Sequence, residues 1–113
     1  MRKFLLTTAA VGVMAVPAMA EVSDGKVKIG ILNDQSGVYA DFGGKNSVEA
    51  AKMAIEDFGG KVLDAPIELV SADHQNKPDI ASNIARQWYD TDQVDTIMEL
   101  TTSSVGLAVQ ALS

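Results

Sequence analysis

The sequence predicts an α/β fold, a three-layer βαβ sandwich with a parallel sheet. Three short apolar runs, rich in β-branched residues, alternate along the chain with three segments of helical periodicity. A polar loop follows each apolar run. Strand, helix, strand order in so short a chain is typical of βαβ units, in which the strands are parallel and the crossovers right-handed.

The first unit begins with Lys26 to Leu32, whose sequence KVKIGIL predicts a buried strand. The next segment, Asn33 to Gly44, is rich in Gly, Asn, Asp and Ser and predicts a loop. Apolar residues then recur at spacings of three and four from Lys45 to Phe58, which predicts a helix. We expect Gly59 and Gly60 to end this helix as a C-terminal cap.

The second unit consists of a strand at Pro66 to Ala72, a polar loop at Asp73 to Asn76, and a helix. Asn76 is a candidate N-cap of this helix, because Pro78 would then lie in the first turn. An apolar stripe along the helix predicts the side that faces the core. It consists of Ile80, Ile84 and Trp88, with Ala81 and Ala85 beside them. We expect Trp88 to lie in the core and Tyr89 to be half exposed.

The third unit has a strand at Val94 to Leu100, a hydroxyl-rich loop at Thr101 to Ser104, and the start of a helix marked by Val105, Val109 and Leu112. Glu99 is a charge near the end of a strand that should be buried. Three interpretations stay open for it: a solvated rim residue, a partner of a helix N-terminus, or a pocket residue.

The three polar loops are the candidate functional segments, because a parallel sheet places its functional loops at the carboxyl ends of its strands. Each loop precedes a helix whose N-terminal N–H groups face the same edge. Hydroxyl groups and free N–H groups at one edge favour a carboxylate or another anion as ligand.

Motifs for catalysis or cofactor binding are not supported. Lys45 follows two glycines, but Tyr39 stands where a phosphate loop needs its first glycine, and no G-x-G-x-x-G occurs. Ser36 lacks the G-x-S-x-G context of a hydrolase. His74, the single histidine, has no companion ligands for a metal. Asp34 after the first strand could indicate a phosphoreceiver, but receivers are cytoplasmic and residues 1 to 20 have the pattern of an export signal. We therefore expect no enzyme activity, no cofactor and no metal.

The N-terminus predicts a secretory signal peptide over residues 1 to 20. Arg2 and Lys3 precede an apolar stretch from Phe4 to Val16, and Ala18-Met19-Ala20 supplies small residues for cleavage before Glu21. The apolar run is too short for a transmembrane anchor, which needs about 20 such residues. The absence of a lipobox cysteine favours a free periplasmic protein, and residues 21 to 113 are the expected mature part.

Charge and cysteine content restrict the partners. Without Arg2 and Lys3 the chain keeps seven basic residues against fifteen acidic ones, a net charge of −8. Such a protein is a poor candidate for nucleic acid or an anionic membrane surface. With no cysteine, the fold contains no disulfide and no thiolate metal site.

The mature chain resembles the type I periplasmic solute-binding proteins of ABC importers, in the branched-chain amino acid (Leu/Ile/Val-binding) family. The likeness runs through nearly its whole length and rests on the order of several segments. These are Val27 to Leu32 (VKIGIL), Ser36 to Gly43 (SGVYADFG), Ala50 to Gly60, Pro66 to Val70 with Asp73, Ala81 to Trp88, Val94 to Ile97, and Thr101 to Ser104 (TTSS).

The resemblance implies two α/β lobes that close on a small solute and deliver it to permease subunits in the inner membrane. It implies ligand contacts at Thr102 and Ser103, with Ser104 nearby, and an aromatic wall at Phe42 and Tyr39. It also implies a monomer when full length, and it identifies residues 21 to 113 as the N-terminal part of the first lobe, with the second lobe absent. A ligand-sensing receptor domain of the same fold and an exported α/β enzyme are the alternatives.

Two departures bear on the ligand. Thr101 and Thr102 replace a run of serines usual in the amino acid binders, and the segments Asp73 to Lys77 and Arg86 to Tyr89 look more like a branch linked to aromatic and other small organic acids. An amino acid or another small, possibly aromatic, carboxylate is therefore the expected ligand class.

We expect the 113-residue chain alone to bind no solute tightly, because half of a cleft cannot bury most of a small ligand. Calorimetric titration with small carboxylates checks this, and an affinity in the micromolar range or better would contradict it.

Overall fold

A computed structural model describes residues 22 to 113, so the predicted signal peptide at 1 to 20 lies outside the described residues. Four strands and three helices follow one another in this part of the chain. They are β1 (Val27–Asn33), α1 (Gly44–Phe58), β2 (Lys61–Val62), β3 (Ala65–Asp73), α2 (Pro78–Asp90), β4 (Thr96–Met98) and α3 (Ser103–Gln110).

The strands form a single sheet in the order β2-β3-β1-β4. β1 is parallel to β3 over its whole length, from the pair Val27 and Ile67 to the pair Asn33 and Asp73. It is also parallel to β4, with Gly30 opposite Ile97. The predicted parallel α/β arrangement is therefore confirmed for the three main strands.

Strand β2 is an addition that the sequence did not indicate. It has two residues and pairs antiparallel with the start of β3, so the sheet is mixed at this edge. Leu63 and Asp64 between them have φ of 48° and 64°, as the central residues of a type I′ hairpin turn require. The Leu63-Asp64 sequence is not the Asn-Gly or Asp-Gly pair by which such a turn is usually detected.

The sheet separates two helical layers, which completes the predicted three-layer sandwich. α1 covers one face, above Ile29, Ile31 and Leu69. α2 and α3 cover the other face, where they share a buried core with β1. The fully or almost fully buried members of that core are Leu32, Ala81, Ala85, Trp88, Val94, Val105 and Val109.

Trp88 is a core residue, as predicted, and it fixes the distance between α2 and the sheet. Its indole lies directly on β1 at Gly30. A β-carbon added to Gly30 would lie 2.5 Å from Cζ3 and 2.7 Å from Cε3 of Trp88. Only glycine at this point of the strand lets the indole ring pack against the backbone.

Helix and strand ends agree with the predictions at some points and correct them at others. Gly59, at φ 101°, and Gly60 donate N–H bonds to the last turn of α1, which confirms the C-cap. The N-cap of α2 is Lys77, so the prediction of Asn76 is wrong; Asn76 has φ 55°, outside the extended region that an N-cap occupies. β4 is also shorter than predicted, since only Thr96–Met98 pair with β1.

We expect Gly30→Ala to lower the free energy of unfolding by about 1–3 kcal/mol, the usual effect of overpacking a core. Urea denaturation measures it. Gly106→Ala in α3 is the control: a β-carbon there meets no atom within 4 Å, so the change should raise stability by about 0.5–1 kcal/mol. An unaffected Gly30→Ala variant would contradict the close packing of Trp88.

Candidate functional site

The order of the strands places a crevice between the carboxyl ends of β1 and β4. From β1 the chain passes through α1 to β3 on one side, and from β3 it passes through α2 to β4 on the other side of β1. The two connections thus lead in opposite directions. At such a topological switch point the flanking loops separate, and α/β proteins bind their ligands there. The loops that meet at this crevice follow β1 and β4.

The loop after β1 is folded around the carboxylate of Asp34, which is fully buried. One oxygen accepts the N–H of Gly37 at 2.6 Å, and the other accepts the N–H of Tyr39 at 3.0 Å. A β-carbon on Gly37 would lie only 2.6 Å from an Asp34 carboxylate oxygen. Gly37 therefore allows the turn that leads the chain to Tyr39, and Asp34 has a structural role here.

A second carboxylate, that of Asp73 at the end of β3, holds the same loop from outside. It accepts the N–H of Gln35 at 2.9 Å, the hydroxyl of Ser36 at 2.5 Å and the N–H of Gln75 at 2.8 Å. Partial burial acts to raise the pKa of Asp73, but these three donors outweigh it, the Ser36 hydroxyl most of all. The pKa of Asp73 is therefore lower than that of an ordinary aspartate.

The predicted aromatic residues lie together on this loop. The ring centroids of Tyr39 and Phe42 are 6.2 Å apart and the rings are tilted by 50°, within the range of favourable aromatic pairs. Phe42 is 85% exposed and Tyr39 38%. Large apolar side chains exposed side by side next to a crevice are typical of a binding surface.

The predicted hydroxyl residues lie at the start of α3, on the loop after β4. Thr102 is the N-cap, and its carbonyl accepts the N–H of Gly106 as the first bond of the helix. The N–H groups of Ser103, Ser104 and Val105 therefore have no partner within the helix. The side chain of Thr102 makes no capping bond, and its Oγ1 is buried without a hydrogen-bond partner among the described residues.

Two further polar groups at this edge were not identified from the sequence. Asn33, at the end of β1, is fully buried, and its amide donates to the carbonyl of Gly44 at 2.7 Å while its Oδ1 has no partner within residues 22 to 113. Nε2 of Gln35 is likewise a buried atom without a hydrogen-bond partner within these residues. Both residues directly precede or follow Asp34, and their position at the carboxyl end of a strand was the one available signal.

Glu99 lies where the two loops meet. It is exposed, yet a β-carbon on Gly43 would lie 3.2 Å from its Oε2 and 2.9 Å from Oγ of Ser47. Glu99 and Ser47 also border a cavity of about 280 Å³ that extends between α1 and the sheet. Two of the three interpretations are thus combined in one residue, since Glu99 is a rim residue that also lines a pocket beside the start of α1.

Within residues 22 to 113, no three His, Cys, Asp or Glu side chains lie close enough together to hold a metal ion. None of the helices in that same part is both long enough and apolar enough to cross a bilayer. The edge offers N–H groups, hydroxyls and aromatic rings, which are groups that recognise a carboxylate with an apolar body.

Comparison with known proteins identifies the class. A family model described as periplasmic binding protein matches residues 26 to 112, so this chain belongs to the periplasmic binding protein family. The family consists of substrate-binding proteins of transporters rather than enzymes. No curated protein matches the chain.

Solved structures agree with this assignment. A periplasmic binding protein from Burkholderia mallei is 49% identical over 78% of this chain and 24% of its own, with a TM-score of 0.75. A branched-chain amino acid ABC transporter periplasmic ligand-binding protein from Burkholderia xenovorans is 52% identical over 77% and 23%, with a TM-score of 0.74. A solute-binding protein of an ABC transporter from Rhodopseudomonas palustris, in complex with 3,4-dihydroxybenzoic acid, is 26% identical over 79% and 24%, with a TM-score of 0.73. The chain thus spans about a quarter of the length of these proteins.

We expect Asp73→Asn to lower the free energy of unfolding at pH 7 by about 2 kcal/mol, because the charged carboxylate becomes a neutral amide and its second acceptor oxygen is replaced by an NH2 group. The pKa of Asp73 is lowered by folding, so its contribution is complete above the ordinary carboxyl pKa of about 3.9 and is lost as the pH falls through the lower folded value. Urea titrations from pH 7 to 2.5 should show the two proteins converging below about pH 4.

Asp57→Asn is the matched control, because this aspartate is exposed on α1. It should change stability by less than about 0.5 kcal/mol at every pH. A constant difference between wild type and Asp73→Asn across the whole pH range would contradict the ionic role of Asp73.

Proposed function

We propose that this chain is part of the extracytoplasmic solute-binding component of an ABC importer. It captures a small carboxylate, either an amino acid or an aromatic acid, at the crevice between β1 and β4. The observation that carries the proposal is the buried, unpaired hydroxyl of Thr102 at the N-terminus of α3, on the loop next to the exposed rings of Tyr39 and Phe42.

The two halves of the crevice suit the two halves of such a ligand. Unpaired N–H groups at a helix N-terminus, together with the hydroxyls of Thr102 and Ser103, stabilise a carboxylate. The rings of Phe42 and Tyr39 offer an apolar surface to its hydrocarbon or aromatic body. A buried hydroxyl without a partner is costly to the protein alone, and a ligand oxygen removes that cost.

The relatives support a small carboxylate as the ligand but do not distinguish an amino acid from an aromatic acid. The protein from B. xenovorans is named for branched-chain amino acids, and the protein from R. palustris was found with 3,4-dihydroxybenzoic acid. A branched-chain amino acid and 3,4-dihydroxybenzoic acid each combine a carboxylate with a compact hydrocarbon group. The crevice offers N–H and hydroxyl groups for the first part and aromatic rings for the second.

The remaining parts of the proposal concern the whole protein. A second lobe would close over the ligand, contributed by further chain of the kind present in the relatives, of which this chain covers about a quarter. The closed form would deliver its solute to permease subunits in the inner membrane. The protein would be a monomer that works in the periplasm after removal of the signal peptide, with no catalytic step, and nucleic acid would not be a partner.

The test is the double variant Thr102→Ala/Ser103→Ala in the polypeptide encoded by the complete reading frame. Leucine, isoleucine, benzoate and 3,4-dihydroxybenzoate are the probes, and calorimetry gives the affinity of the one that binds. We expect the variant to weaken binding by about 2–4 kcal/mol, because ligand oxygens lose their donors in a buried site.

Ser82→Ala/Thr91→Ala removes two hydroxyls elsewhere, from α2 and its C-terminal end, and serves as the control. It should leave the affinity within twofold of wild type. Equal affinities for the control and the Thr102/Ser103 variant would remove these two residues from the binding site, and wild-type protein that binds none of the probes would refute the proposed ligand class.

A further inference from the structure

The imidazole of His74 is fully buried at the end of β3, and both of its nitrogens are engaged. Nδ1 lies 2.9 Å from the backbone nitrogen of Asn76, and Nε2 lies 3.2 Å from the carbonyl oxygen of Leu100. The first contact is local, two residues away along the chain. The second joins the loop after β3 to the loop after β4, which are 26 residues apart.

These two partners determine the tautomer of the ring. A backbone N–H can only donate, so Nδ1 must accept from Asn76 with its lone pair. A carbonyl oxygen can only accept, so Nε2 must carry the hydrogen that is donated to Leu100. These contacts therefore fit the Nε2–H tautomer of His74, in which the lone pair of Nδ1 faces the N–H of Asn76.

The carbonyl of Leu100 has a second donor, the N–H of Thr102, at 2.6 Å. This is the residue whose hydroxyl lies at the proposed carboxylate site. Glu99 and Thr101, on either side of Leu100, have φ of 66° and 61°, a region that residues with a β-carbon rarely occupy. The loop thus has an unfavourable backbone conformation, and such conformations persist only where surrounding contacts hold them.

We propose that His74 is a positioning residue for the binding site. By donating to Leu100, it fixes the carbonyl on which the Thr102 N–H depends, and so sets the position of Thr102 and of the first turn of α3. This inference rests on the proposed function for its consequence in binding. Its structural part concerns only His74, Leu100 and Thr102 and can be tested without ligand.

The competing explanation is that His74 merely stabilises its own loop. The ring accepts from Asn76, and its backbone carbonyl accepts the N–H of Lys77 at 2.9 Å. Both bonds shape the turn that leads into α2. If that were the whole role, the loss of the contact with Leu100 would leave Thr102 unaffected.

Two substitutions separate these roles. In His74→Asn, the side-chain oxygen replaces Nδ1 and can still accept from Asn76, but the shorter side chain does not reach Leu100. In His74→Gln, the amide nitrogen replaces Nε2 and can still donate to Leu100. A role confined to the turn predicts that Asn is the better replacement, whereas the positioning role predicts that Gln is.

The first readout is amide hydrogen exchange at Thr102, measured by NMR on the free protein. We expect His74→Asn to accelerate this exchange on the order of tenfold, the effect of losing about one hydrogen bond, and His74→Gln to stay within about threefold of wild type. Exchange at Val48 in α1 should be alike in all three proteins, which separates a local effect from global unfolding. Unchanged Thr102 exchange in His74→Asn would overturn the proposal.

The second readout is the tautomer, from the ¹⁵N shifts and long-range couplings of ¹⁵N-histidine-labelled protein. Signals of His74 are identified by their loss in His74→Gln. A protonated Nε2 and an unprotonated Nδ1 are expected at pH 7. The opposite tautomer would overturn the proposal, because Nε2 could not then donate to Leu100.

The third readout is affinity for the probe that binds best among leucine, isoleucine, benzoate and 3,4-dihydroxybenzoate. We expect His74→Asn to lose about tenfold and His74→Gln to recover most of that loss. Equal affinities in the two variants would contradict the role in binding. Failure of wild type to bind any probe would refute the proposed ligand class alone, since Thr102 exchange and the tautomer are measured without ligand.

Discussion

Strand β1 pairs in parallel on both sides, with β3 along its full length and with β4 over its central residues, Ile29 to Ile31. This central position requires one crossover to lead to each side and one helical layer on each face. The carboxyl end of β1 therefore lies where the two connections diverge, and the loops after β1 and β4 border a crevice. Because Gly30 carries no side chain, Trp88 packs directly on the strand and binds the α2 layer closely to it.

Three buried or half-buried polar side chains hold the conformation of the loops around that crevice. Asp34 folds the loop that carries Tyr39, Asp73 ties that loop to β3, and His74 ties β3 to the loop that precedes Thr102. Apart from the Ser36 hydroxyl, their partners are backbone N–H and carbonyl groups in segments without regular secondary structure. Such groups need partners when they are buried, so the polar side chains stabilise loops that apolar packing alone leaves undefined. These bonds hold the loops that carry the predicted aromatic and hydroxyl residues.

The elements predicted from the sequence are those with local causes. The β-branched run of β1, the apolar stripe of α2 ending in Trp88, and the Gly59-Gly60 cap each contain their own signal within a few residues, and all are confirmed. Predictions that depend on neighbours were less accurate. Asn76 resembles an N-cap, but its N–H is bound to His74 and its backbone is left-handed. Strand β2 exists only because β3 offers an edge to it.

The sequence by itself determined the fold class, the order of the three parallel strands and the three helices, and the edge of the sheet at which function is expected. It also supplied the candidates Tyr39, Phe42, Thr102, Ser103 and Ser104, which stay predictions. Only the tertiary structure decided which polar groups at that edge are already satisfied and which are free. Asp73 finds Ser36 across 37 residues and His74 finds Leu100 across 26, whereas Oγ1 of Thr102 finds no partner in the described chain. Hydrogen-bond partners so distant in sequence are brought together by strand order, and no local pattern records them.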